Sequence, residues 1–148
     1  MIIHDDIFTW DGWGGVMRLA SGKCRLRIID LRKINPKGVT LMKPFVVVVE
    51  DLPSDGPFYG RMSVRSCCNH IATQVSKKFN IDPARMLFVE YYPPKTYGKN
   101  KEYTVTERIE TVELTWSDGK ALNPSWKPMA EPMRGLILDL IRQPPAAD

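Results

Sequence analysis

The sequence of 148 residues predicts an α+β fold: a mixed or mainly antiparallel sheet of about five to six strands, with one long central helix and a C-terminal helix packed on one face. Two observations lead to this class. Short apolar or alternating segments are separated by frequent Gly and Pro, which is typical of many short strands. Only the segments 63–79 and 132–142 have apolar residues at the three- and four-residue spacing of a helix. Alternating βαβ units are absent from the pattern, so a doubly wound nucleotide-binding fold is not expected.

The strands are predicted from runs of apolar residues and from alternation of apolar and polar residues. A short strand is expected over 7–10, and a hairpin over 16–19 and 24–31 around Ser21-Gly22. The segment 39–50 contains an all-apolar run over 45–49, which favours an interior strand with Pro44 at its start. A buried strand follows over 86–92. Alternation around Val112, Leu114 and Trp116 predicts a half-buried strand that turns at 117–120.

The helices are predicted from their apolar faces and their ends. Ser63 is the expected N-cap of the central helix and Asn80 its expected end, while Pro132 opens the C-terminal helix. The length fits one domain over 1–142, with a flexible tail over 143–148.

Charge is distributed unevenly along the chain. The net charge is +4, and residues 61–100 hold seven Lys/Arg against two Asp/Glu. Such a local excess favours an anionic partner: nucleic acid, a phosphate-bearing ligand or an acidic protein surface. The composition excludes a disordered or collagenous protein, and no apolar run approaches the ~18 residues of a membrane span.

Acidic residues within the first six positions argue against a secretory signal, so we expect a cytoplasmic protein without membrane contact. The three cysteines fit this compartment. Cys67 and Cys68 are adjacent and cannot close an unstrained disulfide on a helix, so reduced thiols are expected.

The start of the central helix is the most concrete candidate binding site. A helix N-terminus presents unpaired N–H groups and a partial positive charge. Arg61 and Arg65 can clamp an oxyanion, and Ser63 and Ser66 can donate hydroxyl hydrogen bonds to it. The alternative is an ordinary capped helix with solvated arginines.

A second basic candidate is the strand containing Lys23, Arg25 and Arg27. These residues alternate with apolar ones, so they share one sheet face and form a row that can follow a phosphate backbone. The alternative is the solvated outer face of an antiparallel sheet.

Catalytic candidates are few. His4 lies beside Asp5 and Asp6, and His70 lies on the central helix one turn after Ser66. A hydrolase would have to combine His70 or His4 with Asp6 and Glu90. No nucleophile elbow and no complete zinc-ligand spacing is present, so neither a metal nor another cofactor is expected.

Trp13, within the glycine-rich segment 11–15, is the candidate contact for a protein partner. Taken together, these features favour a small binding protein that is not an enzyme and engages an anionic partner through its basic central segment. The alternatives are a small hydrolase using His70 with nearby carboxylates, and an oligomeric adaptor or inhibitor that uses its tryptophan-bearing loops.

Overall fold

The computed structural model describes residues 1–10, 22–32, 34, 41–52 and 63–143. Eight strands and two α-helices lie in this part of the chain. In chain order they are β1 (Ile2–Trp10), β2 (Gly22–Asp30), β3 (Phe45–Asp51), α1 (Val64–Lys78), β4 (Met86–Tyr92), β5 (Lys95–Tyr97), β6 (Tyr103–Val105), β7 (Arg108–Ser117), β8 (Lys120–Pro128) and α2 (Met133–Arg142). The predicted arm over 16–19 and the predicted tail beyond Gln143 lie outside the described residues.

Six strands form one mixed sheet in the order β1-β2-β3-β4-β7-β8, and β5 and β6 form a separate two-stranded ribbon. All neighbours in the main sheet are antiparallel except β3 and β4, which are parallel. These two are the strands that α1 connects, so the fold contains one βαβ unit that the pattern of segments did not indicate. The α+β class and the mixed sheet of six strands confirm the prediction.

The boundaries of several elements follow from local chemistry. Ser63 caps α1 as predicted, accepting a hydrogen bond from the Ser66 amide, and α1 is 15 residues long. Asp118 and Gly119 have φ angles of 51° and 76°, which makes the tight connection from β7 to β8. The β8 strand lies at the edge of the sheet, and Pro124 falls where its register with β7 shifts, between the pairs Thr115–Leu122 and Glu113–Ser125.

The two helices cover opposite faces of the sheet. Val47 and Val49 of β3 belong to an apolar cluster with α1, while Val46 and Val48 belong to a second cluster with α2. Because consecutive strand residues point to opposite faces, the prediction that both helices pack on one face is wrong. The physical reason lies in β3 itself, since a strand with apolar residues on both faces needs cover on both sides.

The parallel pair places a polar edge beside the start of α1. Val49 of β3 is in register with Glu90 of β4, so the carboxyl ends of both strands meet at the same edge of the sheet. On β3, Asp51 lies two residues after Val49, which packs under α1. On β4, Glu90 and Tyr92 lie two and four residues after Phe88, which packs under α1 as well. All three polar residues therefore lie on the face that α1 covers. The open ends of parallel strands are where α/β proteins commonly bind ligands.

Candidate functional site

The first turn of α1 is capped by groups of the protein itself. The amide of Val64 donates to Asp51 Oδ1 at 2.9 Å, and the amide of Ser66 donates to Ser63 Oγ at 3.1 Å. The Ser63 and Ser66 hydroxyls lie 2.8 Å apart and bond to each other. An internal carboxylate therefore holds the position predicted for an external anion, and Arg61, the other predicted clamp, lies outside the described residues.

Arg65 extends from this turn over β4 and β8. Its Nη1 donates to the Tyr92 hydroxyl at 2.7 Å and lies 3.4 Å from Glu110 Oε2. The guanidinium lies over the Trp126 ring, 4.4 Å from the ring centroid. Arg65 is thus held against the sheet by an aromatic face and a shared carboxylate.

Arg108, the first residue of β7, makes the corresponding contacts from the other side. Its guanidinium lies 4.2 Å from the centroid of the Tyr92 ring, and its Nε is 3.5 Å from Glu110 Oε1. The side chains of Arg65 and Arg108 are 49% and 58% exposed, whereas that of Glu110 is 17% exposed. Two half-exposed guanidinium groups, called the arginine pair below, therefore share one carboxylate. With five N–H donors each, both have donors left for a ligand.

Beneath the arginine pair lies Glu90, which is 1% exposed. Its Oε1 accepts a hydrogen bond of 2.8 Å from the Trp126 indole N–H. Burial raises the pKa of Glu90, although hydrogen bonds from Tyr92 and Trp126 and the charge of Arg65 oppose this shift. Burial and the contact with Glu90 also raise the pKa of Tyr92 to about 12. Burial therefore disfavours the charged form of Glu90 relative to an exposed glutamate.

The predicted row of cations on β2 is largely neutralised. Arg25 forms a bidentate pair with Asp5, with both N–O distances at 2.9 Å. Arg27 is 4% exposed, and its Nη1 donates to Glu50 at 2.9 Å. Lys23 remains exposed on the same strand. The buried Arg27 is out of reach of a phosphate backbone, because the sheet interior and a carboxylate already enclose it.

The catalytic candidates do not come together. The His4 ring packs against the Phe79 ring with the centroids 4.8 Å apart and the planes tilted by 60°, and Phe79 is the C-cap of α1. Glu90 interacts with Arg65 in the first turn of that helix, about 20 Å of helix length away. Asp6 accepts a hydrogen bond from the amide of Ile7, and His70 lies half-buried in the middle of α1. Among the described residues, no group of three or more His, Cys, Asp or Glu is arranged to hold a metal ion.

The tryptophans and cysteines have structural surroundings. Trp10 is fully buried in the cluster beneath α1, and Trp126 supports the arginine pair. Trp13, the predicted partner contact, lies outside the described residues. All three cysteines are buried free thiols, and burial raises the pKa of Cys24 to about 12.

Sequence reasoning missed Arg108, Glu110 and Trp126 as members of one site. The alternation along β7 was a usable signal, because it puts Glu110 on the same face as Val112, which the pattern predicts to be buried. No local sequence pattern, however, predicts that Arg108 lies near Arg65. The two are neighbours because β4 pairs with β7, which places Arg108 opposite Tyr92, the residue that Arg65 contacts.

Comparisons of the chain with protein-family models, curated proteins and solved structures give no match. In the described part of the chain, neither helix has the length and apolar character needed to cross a membrane.

Proposed function

We propose that this protein binds an anionic ligand at the arginine pair and performs no chemistry on it. The observation that supports this is the sharing of one carboxylate, Glu110, by two half-exposed guanidinium groups that rest on aromatic rings. Stacking on Trp126 and Tyr92 fixes both groups before a ligand arrives, which lowers the entropic cost of binding. Arginine is suited to this task because its planar fork can bond a carboxylate or a phosphate with two donors at once.

The surroundings of the pair also support an anion. Glu110 is the carboxylate that contacts both arginines, and burial disfavours charge on the neighbouring Glu90. The basic segment 61–100, with its seven cations, adds a long-range attraction for negative ligands. This proposal has the same function as the one predicted from the sequence, the binding of an anion. The groups that bind the anion differ: they are the guanidinium groups of Arg65 and Arg108 and not the backbone amides of α1.

The hydrolase alternative has less support from the geometry. Glu90 is 1% exposed and lies beneath the arginine pair, so no ligand atom reaches it without movement of the side chains above. His4 and Glu90 lie near opposite ends of α1, as described above. We therefore place catalysis second to binding.

Titration calorimetry with pyrophosphate tests the proposal. We expect the parent protein to bind it, and Arg65→Gln and Arg108→Gln each to weaken binding about tenfold, the effect of losing one charged hydrogen bond. Arg134→Gln is the matched control. The Arg134 side chain lies on α2, is 44% exposed and pairs with Glu131. Equal affinity in all four proteins, or no pyrophosphate binding by the parent, contradicts the proposal.

A further inference from the structure

The ribbon of β5 and β6 presents an aromatic and basic face with no partner in the described structure. Its register pairs Lys95 with Val105 and Tyr97 with Tyr103, so these four side chains share one face of the ribbon. Tyr97, Tyr103 and Val105 are 50%, 66% and 54% exposed. Two neighbouring tyrosine rings open to solvent are unusual on a strand pair this short, since such rings normally gain stability by burial.

The tip and flank of the ribbon are positively charged. Residues 95–105 contain three lysines and one glutamate, and all of them are exposed. Lys99 and Lys101 lie in the turn, which closes with a hydrogen bond of 3.1 Å from the Lys101 amide to the Gly98 carbonyl. Gly98 has a φ of 101°, and a Cβ there would come within 2.9 Å of Glu102, so the turn is built around this glycine. The lysines are therefore held at one end of the tyrosine face.

The same face borders a cavity that reaches Arg108 of the arginine pair. The cavity has a volume of about 350 Å³, and its walls include Lys95, Tyr97 and Val105 from the ribbon together with Tyr92 and Arg108 from the main sheet. Lys95, Tyr97 and the Arg108 guanidinium thus line one cavity, together with Glu107. Tyr103 extends this surface, because it lies opposite Tyr97 on the same face of the ribbon.

We propose that this surface binds single-stranded nucleic acid, with bases stacking on Tyr97 and Tyr103 and phosphates contacting Lys95, Lys99 and Arg108. The inference rests on the proposed function, because Arg108 belongs to both sites. An acidic protein would also pair with the lysines, so the stacking of bases on the two rings is what distinguishes a single strand. A single strand offers phosphates and unpaired bases at short intervals, and so matches both features.

Fluorescence anisotropy with labelled oligo-dT, and with an abasic oligonucleotide of equal length, tests the base contacts. The double variant Tyr97→Leu/Tyr103→Leu should weaken oligo-dT binding about a hundredfold, or about tenfold for each ring. The matched control Tyr97→Phe/Tyr103→Phe keeps both rings and should bind within about twofold of the parent. The abasic strand should bind weakly to all three proteins.

The phosphate contacts are tested by the dependence of affinity on salt. The affinity for oligo-dT falls as salt rises, and the double variant Lys95→Gln/Lys99→Gln should make this decline shallower. The slope of log K against log salt concentration should change by about 0.7 for each phosphate that the variant no longer neutralises. Lys120→Gln, at the first residue of β8, should leave the slope unchanged. An unchanged slope in the ribbon variant would overturn the assignment of these phosphate-binding lysines.

The outcomes separate this inference from the proposed function. Pyrophosphate binding without oligo-dT binding overturns the ribbon inference and leaves the arginine pair as an anion site. Oligo-dT binding that depends on the tyrosines, without pyrophosphate binding, supports the ribbon and overturns the proposed function. Equal affinity for the abasic strand or for polyglutamate overturns base stacking and indicates a general site for polyanions.

Discussion

Replacing Arg27 by alanine should lower the free energy of unfolding by about 3 kcal/mol, because it removes one partner of a buried ion pair. The side chains of Arg27 and Glu50 are 4% and 14% exposed, and Nη1 lies 2.9 Å from Oε1. Without the guanidinium, Glu50 still bears the cost of leaving water and no longer has the charge that compensates it. Arg27 also lies over the Tyr91 ring at 5.7 Å, so its stem and head both fill space in the sheet. The partial exposure of Glu50 places the value at the lower end of the range of about 3–5 kcal/mol for such pairs.

Urea unfolding of four proteins measures this effect: the parent, Arg27→Ala, Glu50→Leu, and the double variant Arg27→Met/Glu50→Leu. The double variant removes both charges and keeps apolar volume, so we expect it to unfold within about 1 kcal/mol of the parent. Arg27→Ala within about 0.5 kcal/mol of the parent would refute the reasoning. So would a loss of oligo-dT binding at unchanged stability, because Arg27 would then be a ligand contact, as the sequence predicted.

Three further predictions concern buried groups. A Cβ at Gly22 would lie 1.9 Å from a ring carbon of the fully buried Trp10. Gly22→Ala should therefore lower the free energy of unfolding in urea by about 3 kcal/mol. An unchanged urea midpoint would show that the indole has room to move. The raised pKa of Glu90 means that its contribution to stability is fully present below the unfolded carboxyl pKa of about 4.3 and is lost as pH rises through the folded pKa. Glu90→Gln should abolish this decline in unfolding curves measured across pH, and a parallel decline in the variant would assign it to another group. Burial raises the pKa of the Cys24 and Cys68 thiols, so both should resist a thiol reagent until the protein unfolds, and fast labelling of the native protein would contradict their burial.

The elements that sequence reasoning predicted well are those whose signal is local. The strand Met86–Tyr92 has the predicted bounds, because a mainly apolar segment, interrupted by Glu90, ends at Pro93-Pro94. Helix α1 begins after the predicted cap at Ser63, since serine satisfies an amide that the helix leaves open. The ribbon of β5 and β6 was missed because three-residue strands with exposed side chains have no apolar pattern to detect.

The candidate site was predicted in part. Arg65 was singled out through its position near a helix start, and it does lie at the proposed anion site. The contacts that define the site come instead from residues of β4, β7 and β8. Trp126, which lies against Arg65, is 61 positions away from it in the chain. Asp51 likewise reaches the Val64 amide only because β3 ends beside α1.

By itself, the amino-acid sequence determined both helices and most strands of the main sheet, where the central helix starts, and that cations concentrate in the middle of the chain. Periodicity and capping act over a few residues, so they can be read without knowing the fold. Only the tertiary structure decided which cations have their own carboxylate and which share one, because ion pairing depends on which strands become neighbours. Asp5 and Glu50 pair with Arg25 and Arg27 on β2, whereas Arg65 and Arg108 share the single carboxylate of Glu110 and stay about half exposed.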